Sequence, residues 1–170
     1  CEHSLEVALV AHALATIGNR KFGKNYDPER AAMLAVLHDA SEIITGDMPT
    51  PVKYHSEEIR KAYAEVEDMA VEHLVSMLPE ELRDEYRGIM TMSGEADAEL
   101  KPLVKAADRI SAVIKCMEER KSGNRDFSQG STSGGVTAAS AIAALQEAGS
   151  KLSRDMIKGS YRAFAQLNYL

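Results

Sequence analysis

The run Ala31-Ala32-Met33-Leu34-Ala35-Val36-Leu37 offers no polar face to water in a helix, and it leads straight into His38-Asp39. A helix that is apolar all round must be covered by other elements, so the chain needs several neighbours packed about this one. Asp27-Pro28 supplies an N-cap with proline at the first helical position. Gly46 marks the end, and Pro49 and Pro51 prevent continuation. The spacing therefore predicts one central helix over Pro28–Ile44.

Other segments also read as helix. Leu5, Leu9, His12 and Ala13 share a face of a helix from Glu2 to Ile17, followed by a basic turn over Asn19–Asn25. Ile59, Tyr63, Val66, Met69-Ala70 and Leu74 repeat with helical spacing over Ser56–Met77. Shorter and longer helices follow over Pro79–Ile89 and Ala96–Lys121, Pro102 marking the first turn of the latter. No run alternates as a strand does, so the expectation is all-α. Residues 1–127 are expected to form the core. Ser128–Gly135 has the composition of a flexible linker, and two C-terminal helices within 136–170 (Thr137–Ala148 and Ser153–Leu167) are expected to pack on that core.

The bulk properties narrow the function. At 170 residues, with 45% apolar and 27% charged, the chain is ordinary for a globular domain. A net charge of −6, no Trp and only three Phe argue against a nucleic-acid polymer as partner. No apolar run is long enough for a bilayer, and Cys1-Glu2-His3 does not open a signal peptide. Cys1 and Cys116 form no paired pattern, which fits reduced thiols in the cytoplasm.

Acids and imidazoles gather at particular places. A carboxylate at Asp39 beside an apolar run must be paired, neutralised or metal-bound. Glu42 lies four residues after His38, and Asp47 follows the Gly46 turn. Acids are disfavoured at a helix C-terminus, so a divalent cation would relieve this crowding. His3 opens the first helix, where a cap or core role is the alternative. Asp108 lies among Val104, Ala106, Ala107 and Ile110, where a pair with Lys105 or Arg109 is the alternative. Together, two imidazoles and two carboxylates suit a six-coordinate divalent ion.

The chain resembles the HD-domain phosphohydrolases, closest to the bacterial 5′-deoxynucleotidases of the YfbR type. The motifs are Glu-His-Ser-Leu-Glu-Val-Ala at 2–8, Leu-His-Asp-Ala-Ser-Glu at 37–42, Thr-Gly-Asp-Met-Pro-Thr-Pro-Val-Lys at 45–53, Pro-Glu-Glu-Leu-Arg at 79–83 and Val-Lys-Ala-Ala-Asp at 104–108. The resemblance implies an HD-domain helical bundle that hydrolyses deoxynucleoside 5′-monophosphates. It implies one divalent metal (cobalt, manganese or magnesium) and a homodimer. His3, His38, Asp39 and Asp108 match the metal ligands, and Glu42 matches the acid that orients the attacking water. Asp47 matches an acid near the leaving oxygen or the sugar. Lys105 and Arg109 are candidate phosphate-binding cations; Lys53 is a weaker one, expected to serve surface solubility.

The family carries an Arg-Trp pair ahead of its Glu-His-Ser motif, whereas this sequence has no Trp and begins at Cys1. Met156–Phe164 loosely resembles the family's usual first helix moved to the end, which suggests a permuted or truncated arrangement and weaker selection against a ribose 2′-hydroxyl. Two other readings compete: a related triphosphohydrolase acting on deoxynucleoside triphosphates, and an inactive helical binding module that keeps the fold.

Overall fold

A computed structural model describes residues 1–53 and 55–121, and every described element is helical. The linker-like stretch at 128–135 and the two helices expected after it lie outside the described residues. The described residues divide into two compact units, one built from Cys1–Val36 and Ala96–Lys121, the other from Leu37–Glu95.

In the first unit α1 (Glu2–Phe22), α2 (Pro28–Val36) and α7 (Lys101–Lys121) pack on one another. Val7, Val10, Ala11, Leu14 and Gly18 line the buried face of α1, recurring every three or four residues as a packed helical stripe requires. Leu34 of α2 and Leu103, Val104 and Ala107 of α7 close the core against them. The buried face differs from the expected one: Leu5, Leu9 and His12 are exposed. The helix also runs past Ile17 to Phe22, where Gly23 adopts φ 63° and ψ 27° and returns its N–H to the Gly18 carbonyl. This left-handed cap favours glycine, and Arg20 and Lys21 in the last turn complement the helix dipole. Asn19 then clamps the following loop, accepting from Tyr26 N at 2.7 Å and donating to Tyr26 O at 2.8 Å.

The expected N-cap of α2 is present: Asp27 Oδ1 accepts from Arg30 N at 2.9 Å. A tie not legible in the sequence fastens the same turn. Arg30 donates through Nε and Nη2 to both oxygens of Asp97, at 2.8 and 2.7 Å, and Asp97 is buried.

In the second unit α5 (Glu57–Ser76) packs against α3 (Glu42–Thr45), α4 (Thr50–Lys53) and α6 (Arg83–Thr91). Ser56 caps α5 by accepting from Ile59 N at 3.2 Å. Tyr63, Ala70, Val71 and Val75 form its buried stripe, while Val66 and Met69, expected on that stripe, are exposed. The helix expected over Pro79–Ile89 is a 3₁₀ turn at Glu80–Leu82 followed by α6. The expected start at Ala96 is likewise a 3₁₀ turn, Glu95–Glu99, with α7 beginning at Lys101 next to Pro102.

The main correction concerns the central helix. It stops at Val36, and Leu37–Ser41 form a turn before the short α3. Bonds from Ala40 N to Leu37 O and from Glu42 N to Asp39 O, at 3.1 and 3.0 Å, span three residues rather than four. Such tightening ends regular α-helix.

Candidate functional site

His38 and Asp39 occupy that turn, so they are not on the last turn of a helix as the sequence suggested. His38 Nε2 stands 3.0 Å from Asp39 Oδ2. The 3₁₀-type bonding also changes how Glu42 relates to His38: it opens α3 instead of following His38 along a continuous helical face. Acidic residues are favoured in a first turn, which removes the conflict the sequence presented.

Gly46 ends α3 with φ 70° and ψ 164°, a combination essentially reserved for glycine. Its carbonyl accepts from the hydroxyl of buried Tyr63 at 3.0 Å. Its N–H donates to Glu42 O at 2.9 Å. The turn that carries exposed Asp47 is thus tied both to α5 and to Glu42. Lys53, expected to be a solubility residue, is instead half-buried. It donates to Glu67 at 2.7 Å and lies 4.7 Å from the Tyr63 ring centre, a distance within reach of cation–π attraction.

The Glu42 carboxyl is pushed up from 4.5 to about 7. Partial burial is the largest cause, followed by the negative charges of Asp39 and Asp47; His38 and Lys53 pull the other way. A carboxyl that titrates near neutrality beside an acid cluster is equipped to accept a proton from water.

Within the first unit, His3 Nε2 stands 3.1 Å from Asp108 Oδ1. His3 Nδ1 lies 3.3 Å from Ser111 Oγ, and Ser111 donates to Glu6 Oε2 at 2.7 Å. Neither Ser111 nor Glu6 was singled out in the sequence. Their only signal is spacing: Glu6 follows His3 by three residues, as Ser111 follows Asp108. Lys105 is exposed. Arg109 is half-buried, and its Nη1 is buried with no hydrogen-bond partner among the described residues.

Each unit therefore holds an imidazole against a carboxylate, and nitrogen and oxygen donors of this kind suit divalent first-row cations. The residues fit such an ion chemically.

A family model described as 5′-deoxynucleotidase YfbR-like matches residues 1–148. A 5′-deoxynucleotidase of Vibrio cholerae is 52% identical over 128 residues, covering 75% of this chain and 66% of that protein. The 5′-deoxynucleotidase YfbR of Escherichia coli is 53% identical over 126 residues, covering 74% and 63%. The chain thus spans just under two thirds of the length of these curated relatives. Among solved structures, an HD-domain phosphohydrolase from Listeria innocua superposes with a TM-score of 0.68 at 23% identity, covering 97% of this chain and 72% of that one. At that identity the likeness is one of fold, an all-α HD domain.

Proposed function

The chain belongs to the YfbR-like 5′-deoxynucleotidase family, and from that membership we propose that it is a metal-dependent phosphohydrolase releasing phosphate from deoxynucleoside 5′-monophosphates. The observation that carries this reading is the cluster at the turn after α2, where His38 Nε2 stands 3.0 Å from Asp39 Oδ2 and Glu42 opens α3 within the field of Asp39 and Asp47.

His3, His38, Asp39 and Asp108 are the proposed ligands of one divalent cation, cobalt, manganese or magnesium. Bound there, it supplies Lewis acidity and screens phosphate charge. Glu42 orients the attacking water and accepts its proton. As oxygen adds to phosphorus, the bond to the 5′ oxygen breaks, and the proton gained by that leaving oxygen balances the one Glu42 takes. Asp47 serves the leaving oxygen or the sugar. Arg109 offers a buried donor without a partner among the described residues, which a phosphate oxygen would satisfy. Lys105 adds a second, exposed cation.

Among the described residues no helix is long and apolar enough to cross a membrane. We place the protein in the cytoplasm with a small nucleotide as substrate and no nucleic-acid polymer as partner. It works as a homodimer, for which exposed Leu5 and Leu9 on α1 provide apolar surface. A panel of deoxynucleoside monophosphates, ribonucleoside monophosphates and deoxynucleoside triphosphates, each with several divalent ions, tests the activity. Release of inorganic phosphate from the deoxynucleoside monophosphates is expected. Turnover of the triphosphates alone, with triphosphate as product, would overturn the substrate assignment, and no turnover with any ion would overturn the enzymatic reading.

A further inference from the structure

We propose that Ser111 and Glu6 act as a positioning pair that fixes His3 in the tautomer with its proton on Nδ1, leaving Nε2 as a bare donor toward Asp108. The inference rests on the reading of His3 as a metal ligand.

The geometry is one of counting protons. Ser111 Oγ has a single hydrogen. It is spent on Glu6, because a carboxylate can only accept and the 2.7 Å separation is short. Only lone pairs of Ser111 Oγ then remain to face His3 Nδ1 at 3.3 Å, so the nitrogen is the donor. With its proton on Nδ1, a neutral imidazole presents a lone pair at Nε2, and that atom is the one 3.1 Å from Asp108 Oδ1. Two electron-pair donors converge there, as ligands of a shared cation do. Partners that orient a metal-bound histidine through its other nitrogen are a general feature of such sites. Ser111 is fully buried, so water does not compete for its hydroxyl. The four residues arise from two matched pairs: His3 and Glu6 three apart on α1, Asp108 and Ser111 three apart on α7, and α1 and α7 pack together.

The test uses the whole chain with ¹⁵N-labelled histidine. Long-range ¹H–¹⁵N spectra of the Mg²⁺-loaded protein are expected to show His3 protonated on Nδ1. Ser111→Ala should lose that bias and weaken Mn²⁺ binding about 10–100-fold. Ser111→Thr, which keeps the hydroxyl, should restore both. A wild-type His3 protonated on Nε2 would overturn the inference. So would a Ser111→Ala protein with wild-type tautomer and wild-type Mn²⁺ affinity. His3→Ala separates the two readings: if it binds Mn²⁺ as tightly as wild type, the metal assignment of His3 fails, and the wild-type spectrum alone then decides the hydrogen-bond inference. If His3→Ala loses Mn²⁺ while Ser111→Ala does not, the ligand assignment stands and the positioning role falls.

Discussion

Glu42 is the proposed acceptor of the water proton. Its carboxyl titrates near 7, with partial burial as the largest cause. An acid whose folded-state value is raised binds its proton more tightly folded than unfolded. Stability contributed by the protonated form is therefore present at low pH and declines as pH rises from about 4.5 to about 7. Glu42→Gln removes the ionisation. In the metal-free protein it should leave stability at pH 4 almost unchanged and raise it at pH 8 by ~1 kcal/mol, a figure discounted for the solvent reaching this half-buried group. Urea titrations at the two pH values check this; an equal effect at both would mean that Glu42 is not perturbed. The same variant should keep its metal and lose about 10² to 10⁴ in turnover as a proton acceptor is removed. Asp39→Ala, by contrast, should lose both, and elemental analysis finding wild-type metal content in that protein would refute the ligand role of Asp39. His38, Asp39 and Glu42 were legible because acids and an imidazole crowd the end of an apolar run. Ser111 and Glu6 were not, because their three-residue spacing from Asp108 and His3 has no meaning until the packing of α1 on α7 brings them together.

At the scale of elements, what matters is where helices stop. The sequence marks the beginning of α2 through Asp27-Pro28, and the cap forms as expected. It does not mark the end: Leu37–Ser41 contains no glycine or proline, yet the chain turns there through three-residue bonds. Helical spacing in the sequence continues across the break, so periodicity alone cannot locate it. The choice of face on α1 failed for a related reason, since apolar residues occur on both of its sides and only the partners decide which is buried. Gly46 is a sharper case, because its backbone conformation excludes other residues while nothing lies within 4 Å of where a Cβ would stand. Gly46→Ala should therefore cost about 1–3 kcal/mol through backbone strain rather than collision. Because the Gly46 carbonyl and N–H bind Tyr63 and Glu42, the substitution should also reduce turnover. Tyr63→Phe, which deletes only the hydroxyl contact, should cost ~1 kcal/mol. Denaturant melts of the two variants rank these effects, and a Gly46→Ala protein as stable as wild type would show that the turn relaxes freely.

For the whole molecule, the all-α class was legible because every long segment repeats with helical spacing and none alternates. The division at Leu37 and Glu95 was not: no change in composition accompanies either point, and the sequence's one linker-like stretch lies elsewhere. A cation that binds only the folded chain stabilises it by mass action, by about 2.7 kcal/mol at a hundred times its dissociation constant. For a chain of this length that corresponds to a rise in Tm on the order of 5–10 °C. The effect is favourable charge neutralisation as well, since the protein carries −6 overall. Melts with and without saturating Mn²⁺ should show the rise in wild type, and a chelator should reverse it. His3→Ala and Asp39→Ala should each lose most of the increment, because truncating a ligand of one shared ion weakens the same equilibrium wherever it lies in the sequence. If His3→Ala keeps the full rise while Asp39→Ala loses it, His3 is not a ligand. If wild type shows no rise at any concentration, the four residues do not form a metal site.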